Sequence, residues 1–180
     1  MSLAEMEYAA LRQTIASRGT ARMTLVPVTI IGWALVAGTL TALGSHPASA
    51  LFPLAILAGG FEAIHAMHVG VERIGRYLQV FYEGAENGPM WETIAMTVGP
   101  ALPGGGVDPL FSVLFAAAAL LNLIPALAPA PTTLELVVIG VMHLALLVRI
   151  ARARVAAARQ RAVDLESYRA VRMRTSHSPQ

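Results

Sequence analysis

The chain contains no cysteine and no lysine, and only 13% of its 180 residues are charged. Without cysteine there is no disulfide, no thiolate nucleophile, no iron–sulfur cluster and no cysteine-ligated zinc. The Gly-x-Ser-x-Gly, Walker and Rossmann patterns, which indicate common hydrolases and nucleotide-binding proteins, are also absent from the sequence. These absences favour a protein that is not an enzyme, although they leave that question open.

Apolar residues are abundant instead. They make up 56% of the chain, against about 45–50% in soluble proteins, and the mean hydropathy is +0.60. Four apolar runs cover approximately residues 24–43, 50–70, 107–128 and 133–150. Each is close to the roughly 20 residues that a helix needs to cross a bilayer. The sequence therefore predicts an all-α integral membrane protein, a four-helix bundle formed by one domain of residues 1–180.

The basic residues are distributed on one side of these predicted spans. All thirteen are arginines, and the two connections on the opposite side, residues 44–49 and 125–133, contain none. Positive charge marks the cytoplasmic side of a membrane protein, so we expect both termini in the cytoplasm and a bacterial inner-membrane location. The arginines that follow the fourth span are expected to contact anionic lipid headgroups, at about 1 kcal/mol each: Arg149, Arg152, Arg154, Arg159 and Arg161.

Three segments outside the spans are also predicted to be helical. Residues 1–20 have the pattern of an amphipathic helix lying on the cytoplasmic interface. The second helix continues into a cytoplasmic extension and loop, residues 71–106, where Trp91, Ile94 and Val98 have helical spacing. Residues 151–180 form an arginine-rich cytoplasmic tail, predicted to continue the fourth helix. For the third span, Asp108 is the expected N-cap and Pro109 the first helical residue.

The second helix carries a polar stripe that begins inside the predicted bilayer. At 100° per residue the members of this stripe fall within an arc of about 120°. A bilayer cannot solvate such groups, so the stripe must face the bundle interior, a water-filled cavity or another subunit. The polar stripe consists of Glu62, His65, His68, Glu72, Arg76, Gln79 and Glu83.

One hypothesis for this stripe is a metal or haem site. His65 and His68 could combine with His143 of the fourth helix and with Glu62 or Glu72. Imidazole and carboxylate ligands suit zinc, iron or nickel. Alternatively, His143 and a histidine of the second helix could be the axial ligands of haem b.

Two other hypotheses remain. Glutamate and histidine side chains inside a bundle can relay protons or ions, which would make the polar stripe part of a transport path. The stripe could also simply join the second helix to its neighbours, in an accessory or scaffold subunit of a membrane complex or a homo-oligomer. Ala55, Gly59 and Ala63 form a ladder of small residues that would permit another helix to approach closely. Nucleic acid is not an expected partner.

Overall fold

The computed structural model describes residues 2–83, 89–98, 108, 110–128 and 130–176. Within these ranges the protein is helical and has no strand, which confirms the all-α prediction. Six α-helices and one 3₁₀ turn follow each other in the described part of the chain: α1 (Leu3–Ala42), the 3₁₀ turn (Pro47–Ala50), α2 (Leu51–Phe81), α3 (Trp91–Val98), α4 (Ser112–Leu121), α5 (Leu123–Leu127) and α6 (Thr133–Ser176).

Three helical segments are long and apolar enough to cross a membrane: Leu3–Ala42, Pro47–Phe81 and Thr133–Ala157. They contain the first, second and fourth predicted spans. The third predicted span corresponds to a shorter apolar segment, Ser112–Leu127, which is about 24 Å long at 1.5 Å per residue.

Helix α1 differs from the prediction, because residues 3–20 and residues 24–42 of the first span belong to one uninterrupted helix of 40 residues. Pro27 lies inside α1. A proline removes one N–H donor, but in an apolar environment the neighbouring peptide groups have no water to replace their helical partners. Continuing the helix therefore costs less than breaking it. Helix α1 ends where Gly44 adopts a positive φ of 62°, and Ser45 N–H donates to Leu40 O in a Schellman motif.

The third predicted span also begins later and is interrupted. Helix α4 starts at Ser112, and Phe111, in the left-handed conformation, occupies its N-cap position. Asp108 is therefore not the N-cap; its carboxylate accepts the backbone N–H groups of Leu110 and Ser112 in the preceding turn. Pro109 and residues 84–88 and 99–106 of the predicted cytoplasmic loop lie outside the described residues.

The interruption between α4 and α5 has a local cause. Pro125 has no N–H to give to the carbonyl four residues earlier, and its ring would clash with that carbonyl. That carbonyl belongs to Leu121, the last residue of α4. Asn122 occupies the resulting break between the two helices.

The helical extensions predicted for the second and fourth spans are confirmed. Helix α2 runs unbroken to Phe81, and α6 continues for 44 residues to Ser176. The short helix α3 covers Trp91–Val98, as the spacing of its apolar residues predicts. Helix α6 begins with a capping box, in which Thr132 N–H donates to the Glu135 carboxylate and Glu135 N–H donates to Thr132 Oγ1.

The chain divides into two compact units, each described here by itself. Unit 1 comprises Met1–Thr20, Met67–Val107 and Ala156–Gln180, and unit 2 comprises Ala21–Ala66 and Asp108–Val155. Helices α1, α2 and α6 each contribute residues to both units.

In unit 2, packing joins residues from all of its helices. Gly60 of α2 lies directly against the side chain of Thr29 in α1. The rings of Phe61 and Phe115 meet edge to face at 5.5 Å between centroids. Ala50, Ala126 and Ile139 form a buried apolar cluster.

In unit 1, an aromatic cluster brings three helices together. Tyr77 packs against Phe81 at 4.7 Å and against Tyr168 of α6 at 5.9 Å. Tyr8 of α1 stacks at 5.4 Å from Tyr82, which follows α2. The N-terminal part of α1 is therefore packed against protein in unit 1, whereas the sequence predicts a separate helix on the membrane interface.

Candidate functional site

Asn122, at the break between α4 and α5, has polar partners in three other elements of unit 2. Its Oδ1 accepts the indole N–H of Trp33 at 3.1 Å. Its Nδ2 donates to the carbonyl oxygen of Ala50 at 2.9 Å and lies 3.1 Å from Nε2 of His143. Asn122 is 1% exposed, so these bonds replace the water that the amide would have outside the protein. One side chain thus connects α1, the 3₁₀ turn and α6.

The hydrogen bonds of His143 determine its tautomer. Nδ1 lies 2.8 Å from the carbonyl oxygen of Ile139, which can only accept, so Nδ1 carries the proton. Nε2 is then unprotonated and accepts the amide N–H of Asn122. Both ring nitrogens of this buried imidazole are therefore engaged with protein groups.

A narrow cleft reaches this network from the region of the 3₁₀ turn. Thr41, Ser49, Asn122 and Pro125 are among its lining residues, and its volume is ≈ 20 Å³. That is room for about one water molecule. His46, beside this cleft, has Nδ1 2.8 Å from a carboxylate oxygen of Glu135 at the start of α6, a contact that the sequence does not predict.

Glu62 and His65, the two members of the polar stripe that belong to unit 2, contact Arg149 of α6. Arg149 binds the Glu62 carboxylate in a bidentate manner, at 2.7 Å through Nε and 2.8 Å through Nη2. The same Nη2 lies 3.3 Å from Nδ1 of His65. The Glu62 side chain remains 48% exposed, but its charge is compensated by a protein group.

Arg76 and Glu72, farther along the polar stripe, pair with α6 in unit 1. Arg76, only 2% exposed, donates to Asp164 at 2.5 Å and to Glu72 at 2.9 Å. Gln160 donates to the second carboxylate oxygen of Asp164 at 2.8 Å. A buried arginine that bridges two carboxylates fixes the register of α2 against α6, because a shift would leave charges unpaired.

Gln79 and Glu83, the last two members of the stripe, contact α3. The Glu83 carboxylate accepts the backbone N–H groups of Glu92 and Thr93 at 2.5 and 2.7 Å, and the Thr93 hydroxyl at 2.7 Å. An acidic group at this position satisfies N–H groups that have no partner within the helix. Gln79 Nε2 lies 3.5 Å from the Thr93 hydroxyl.

Arg12 of α1 forms an ion pair with Glu92 of α3 in unit 1. Burial raises the pKa of the Glu92 carboxyl; Arg12 opposes this shift, and the negative charge of Glu83 reinforces it. The net direction is upward, which means that desolvation outweighs the attraction of the arginine.

The contacts of the histidines bear on the metal hypothesis, whereas the haem hypothesis stays a prediction. Among the described residues, no three histidine, aspartate or glutamate side chains form a group that could hold a metal ion. His143 already uses both nitrogens, and His65 already contacts Arg149. His68 is buried, 7% exposed.

The five arginines predicted to bind lipid headgroups have different surroundings. Arg149 contacts Glu62 and His65, and its side chain is still 40% exposed. Arg152, Arg154 and Arg159 are exposed, and Arg161 is half-buried. Headgroup binding by these side chains stays a prediction.

Several residues of these networks could not be recognised from hydropathy and charge alone. Asp164, Trp33 and Arg12 gain their partners only when helices distant in sequence come together. One contact had a sequence signal: Thr132 and Glu135 have the spacing of a capping box.

Comparisons of the chain with family models, with curated proteins and with solved structures gave no match.

Proposed function

We propose that this protein is a non-enzymatic accessory or scaffold subunit of a membrane complex or homo-oligomer, located in the bacterial cytoplasmic membrane. In this proposal unit 2 is a four-pass bundle, both termini are cytoplasmic, and unit 1 is the helical surface that a partner contacts. The exposed arginines of α6 would hold unit 1 close to anionic headgroups.

One observation carries the proposal: the polar stripe is used in contacts between helices. Glu62 and His65 contact Arg149, Arg76 pairs with both Glu72 and Asp164, and Gln79 and Glu83 contact α3. Side chains engaged in this way serve to align helices. The same contacts stiffen α2 and α6, which extend from the apolar segments into unit 1.

The four-pass arrangement is supported by the order of contacts within unit 2. Asp108, before α4, is close enough to Arg154 for an electrostatic interaction. Phe115 then meets Phe61, and Ala126 meets Ala50 and Ile139. The segment containing α4 and α5 thus follows α2 and α6 in the antiparallel sense from one end of the unit to the other, as a crossing helix would.

The two other hypotheses have less support. The described side chains offer no group of metal ligands. For a proton or ion path, the cleft at Asn122 is a starting point, but both N–H groups of that amide are occupied by Ala50 and His143. A proton could pass only if these hydrogen bonds were broken.

Site-specific photocrosslinking in intact cells tests the scaffold proposal. A photoreactive residue at Val163, which is 55% exposed on α6 in unit 1, should give one protein adduct of defined mass. The same residue at Leu35, 66% exposed in the apolar part of α1, serves as the control and should react mainly with lipid. If Val163, Val171 and Arg159 all give no protein adduct, unit 1 has no partner and the proposal fails.

A further inference from the structure

Unit 1 contains a cleft of ≈ 470 Å³ between the end of α2, α3 and the C-terminal part of α6. Small-molecule sites typically occupy about 300–1,000 Å³ and combine apolar walls with a few convergent polar groups. The apolar wall comprises Val80, Met90 and Met173, and the polar residues at the cleft include Gln79, Arg169 and Arg172.

The residues that line the cleft include two arginines and one glutamate, so positive charge is in excess. Glu83 also lines it, but this carboxylate is directed to the first turn of α3, where it accepts two backbone N–H groups and a hydroxyl. Arg172 Nη1 donates to the carbonyl oxygen of Val80, which anchors this guanidinium at the wall. Arg169 is exposed and has no hydrogen-bond or ion-pair partner among the described residues.

A second polar group at the cleft is unsatisfied. The side-chain oxygen of Gln79 is buried and accepts no hydrogen bond from the described part of the protein. Such an acceptor costs free energy unless a donor reaches it. A ligand with a hydroxyl group could donate to this oxygen, and an anionic group of the same ligand could bind Arg169.

We propose that this cleft binds a small phosphate-bearing molecule with a hydroxyl group, of the glycerol phosphate type, with the phosphate at Arg169 and the hydroxyl at Gln79. Arginine presents paired donors that match phosphate oxygens. Met90 and Met173 are flexible, exposed apolar side chains that can adapt to the carbon skeleton. Glycerol phosphate chemistry occurs both in soluble metabolites and in lipid headgroups. The inference is independent of the proposed scaffold function.

The experiment uses the full-length protein in nanodiscs of zwitterionic lipid, titrated calorimetrically with glycerol phosphate. A parallel sample with phosphatidylglycerol is analysed by native mass spectrometry for retained lipid. Saturable 1:1 binding of glycerol phosphate indicates a soluble ligand, and retention of phosphatidylglycerol alone indicates a headgroup. Either result supports the site, and binding of neither probe overturns it.

Variants separate this cleft from general attraction to positive charge. Arg169→Gln should weaken binding roughly tenfold, since one charge-assisted contact is lost, and Gln79→Leu should weaken it severalfold. Arg159→Gln is the matched control, because it removes the same charge from an exposed position of α6 that does not line the cleft. Equal weakening by Arg159→Gln and Arg169→Gln would contradict a specific site.

Discussion

Asn122 contributes more to unit 2 than its single amide suggests, since three elements depend on it. Trp33, Ala50 and His143 all bond to its side chain. Hydrogen bonds between membrane helices average only about 0.6 kcal/mol, so the importance of Asn122 lies in the number of partners rather than in the strength of any one bond.

Replacing Asn122 with alanine should therefore lower the free energy of unfolding by about 2 kcal/mol, from three bonds of about 0.6 kcal/mol each. The measurement is an unfolding titration with sodium dodecyl sulfate in mixed micelles, followed by circular dichroism. Leu120→Ala is the control, because Leu120 is 53% exposed on the adjoining helix α4. If both variants lose the same free energy, the network does not hold the elements together.

Glu92 gives a pH-dependent prediction for unit 1. Because burial raises its pKa in the folded protein, protonation stabilises the fold; this contribution is complete below the pKa of the unfolded chain and is lost as the pH rises through the folded pKa. Acidification from neutral to pH 4.5, the ordinary pKa of a glutamate, should therefore slow amide hydrogen exchange in α3 relative to a Glu92→Gln variant. Glu166→Gln, at an exposed position of α6, should keep the wild-type response. A response that persists in Glu92→Gln would assign it to another group.

Between elements, α1 and α2 approach each other closely at Gly60, a glycine that the pattern of small residues does not include. The predicted ladder of Ala55, Gly59 and Ala63 is exposed, and a Cβ at Gly59 would have no neighbour within 4 Å. A Cβ at Gly60 would overlap the side chain of Thr29 in α1. Helices α1 and α2 therefore pack through Gly60, one residue away from the ladder.

These adjacent glycines form a matched pair for mutagenesis. Gly60→Val should lower the free energy of unfolding by about 1–3 kcal/mol, because α1 must move away from α2. Gly59→Val should stay within about 0.5 kcal/mol of the wild type, as surface substitutions do. The same detergent titration measures both. A larger loss for Gly59→Val would mean that the ladder, and not Gly60, faces another helix.

At the scale of the whole molecule, the number of crossings determines where the tail lies. Three long apolar helices and the shorter Ser112–Leu127 segment give both termini on one side if all four cross, and on opposite sides if only three do. The arginine distribution favours four crossings, because Arg12 and Arg172 then lie on the same, cytoplasmic, side.

Single cysteines can test this directly, since the chain has none of its own. Cysteines at the exposed positions Ala48 and Ala130 should react with an impermeant maleimide in intact cells. A cysteine at Ser167, also exposed, should react only after the membrane is permeabilised. The opposite result for Ala130 and Ser167 would mean that α4 and α5 do not cross.

The sequence by itself determined the helical class, the long unbroken helices α2 and α6, and the short helix α3, because apolar periodicity and turn residues act locally. It also located the polar stripe, because ionisable side chains within an apolar membrane-spanning helix are costly to bury and therefore stand out in the sequence. It did not predict the break at Asn122 or the continuity of α1, although the sequence contains Pro125 and Pro27. The free-energy cost of a proline in a helix depends on the hydrogen-bond partners of the neighbouring peptide groups, which the tertiary structure determines.

Only the tertiary structure decided which partners the stripe has. Arg149 binds Glu62, and His143 bonds to Asn122 and Ile139, and neither set of partners could be read from the sequence. Lipid contact by Arg149 and ligation by His143 stay predictions. Hydropathy gives the depth of a residue along a helix, but the rotation of that helix about its axis follows from packing contacts such as Gly60 against Thr29. The pairing of polar side chains is a consequence of that rotation, which no local pattern encodes.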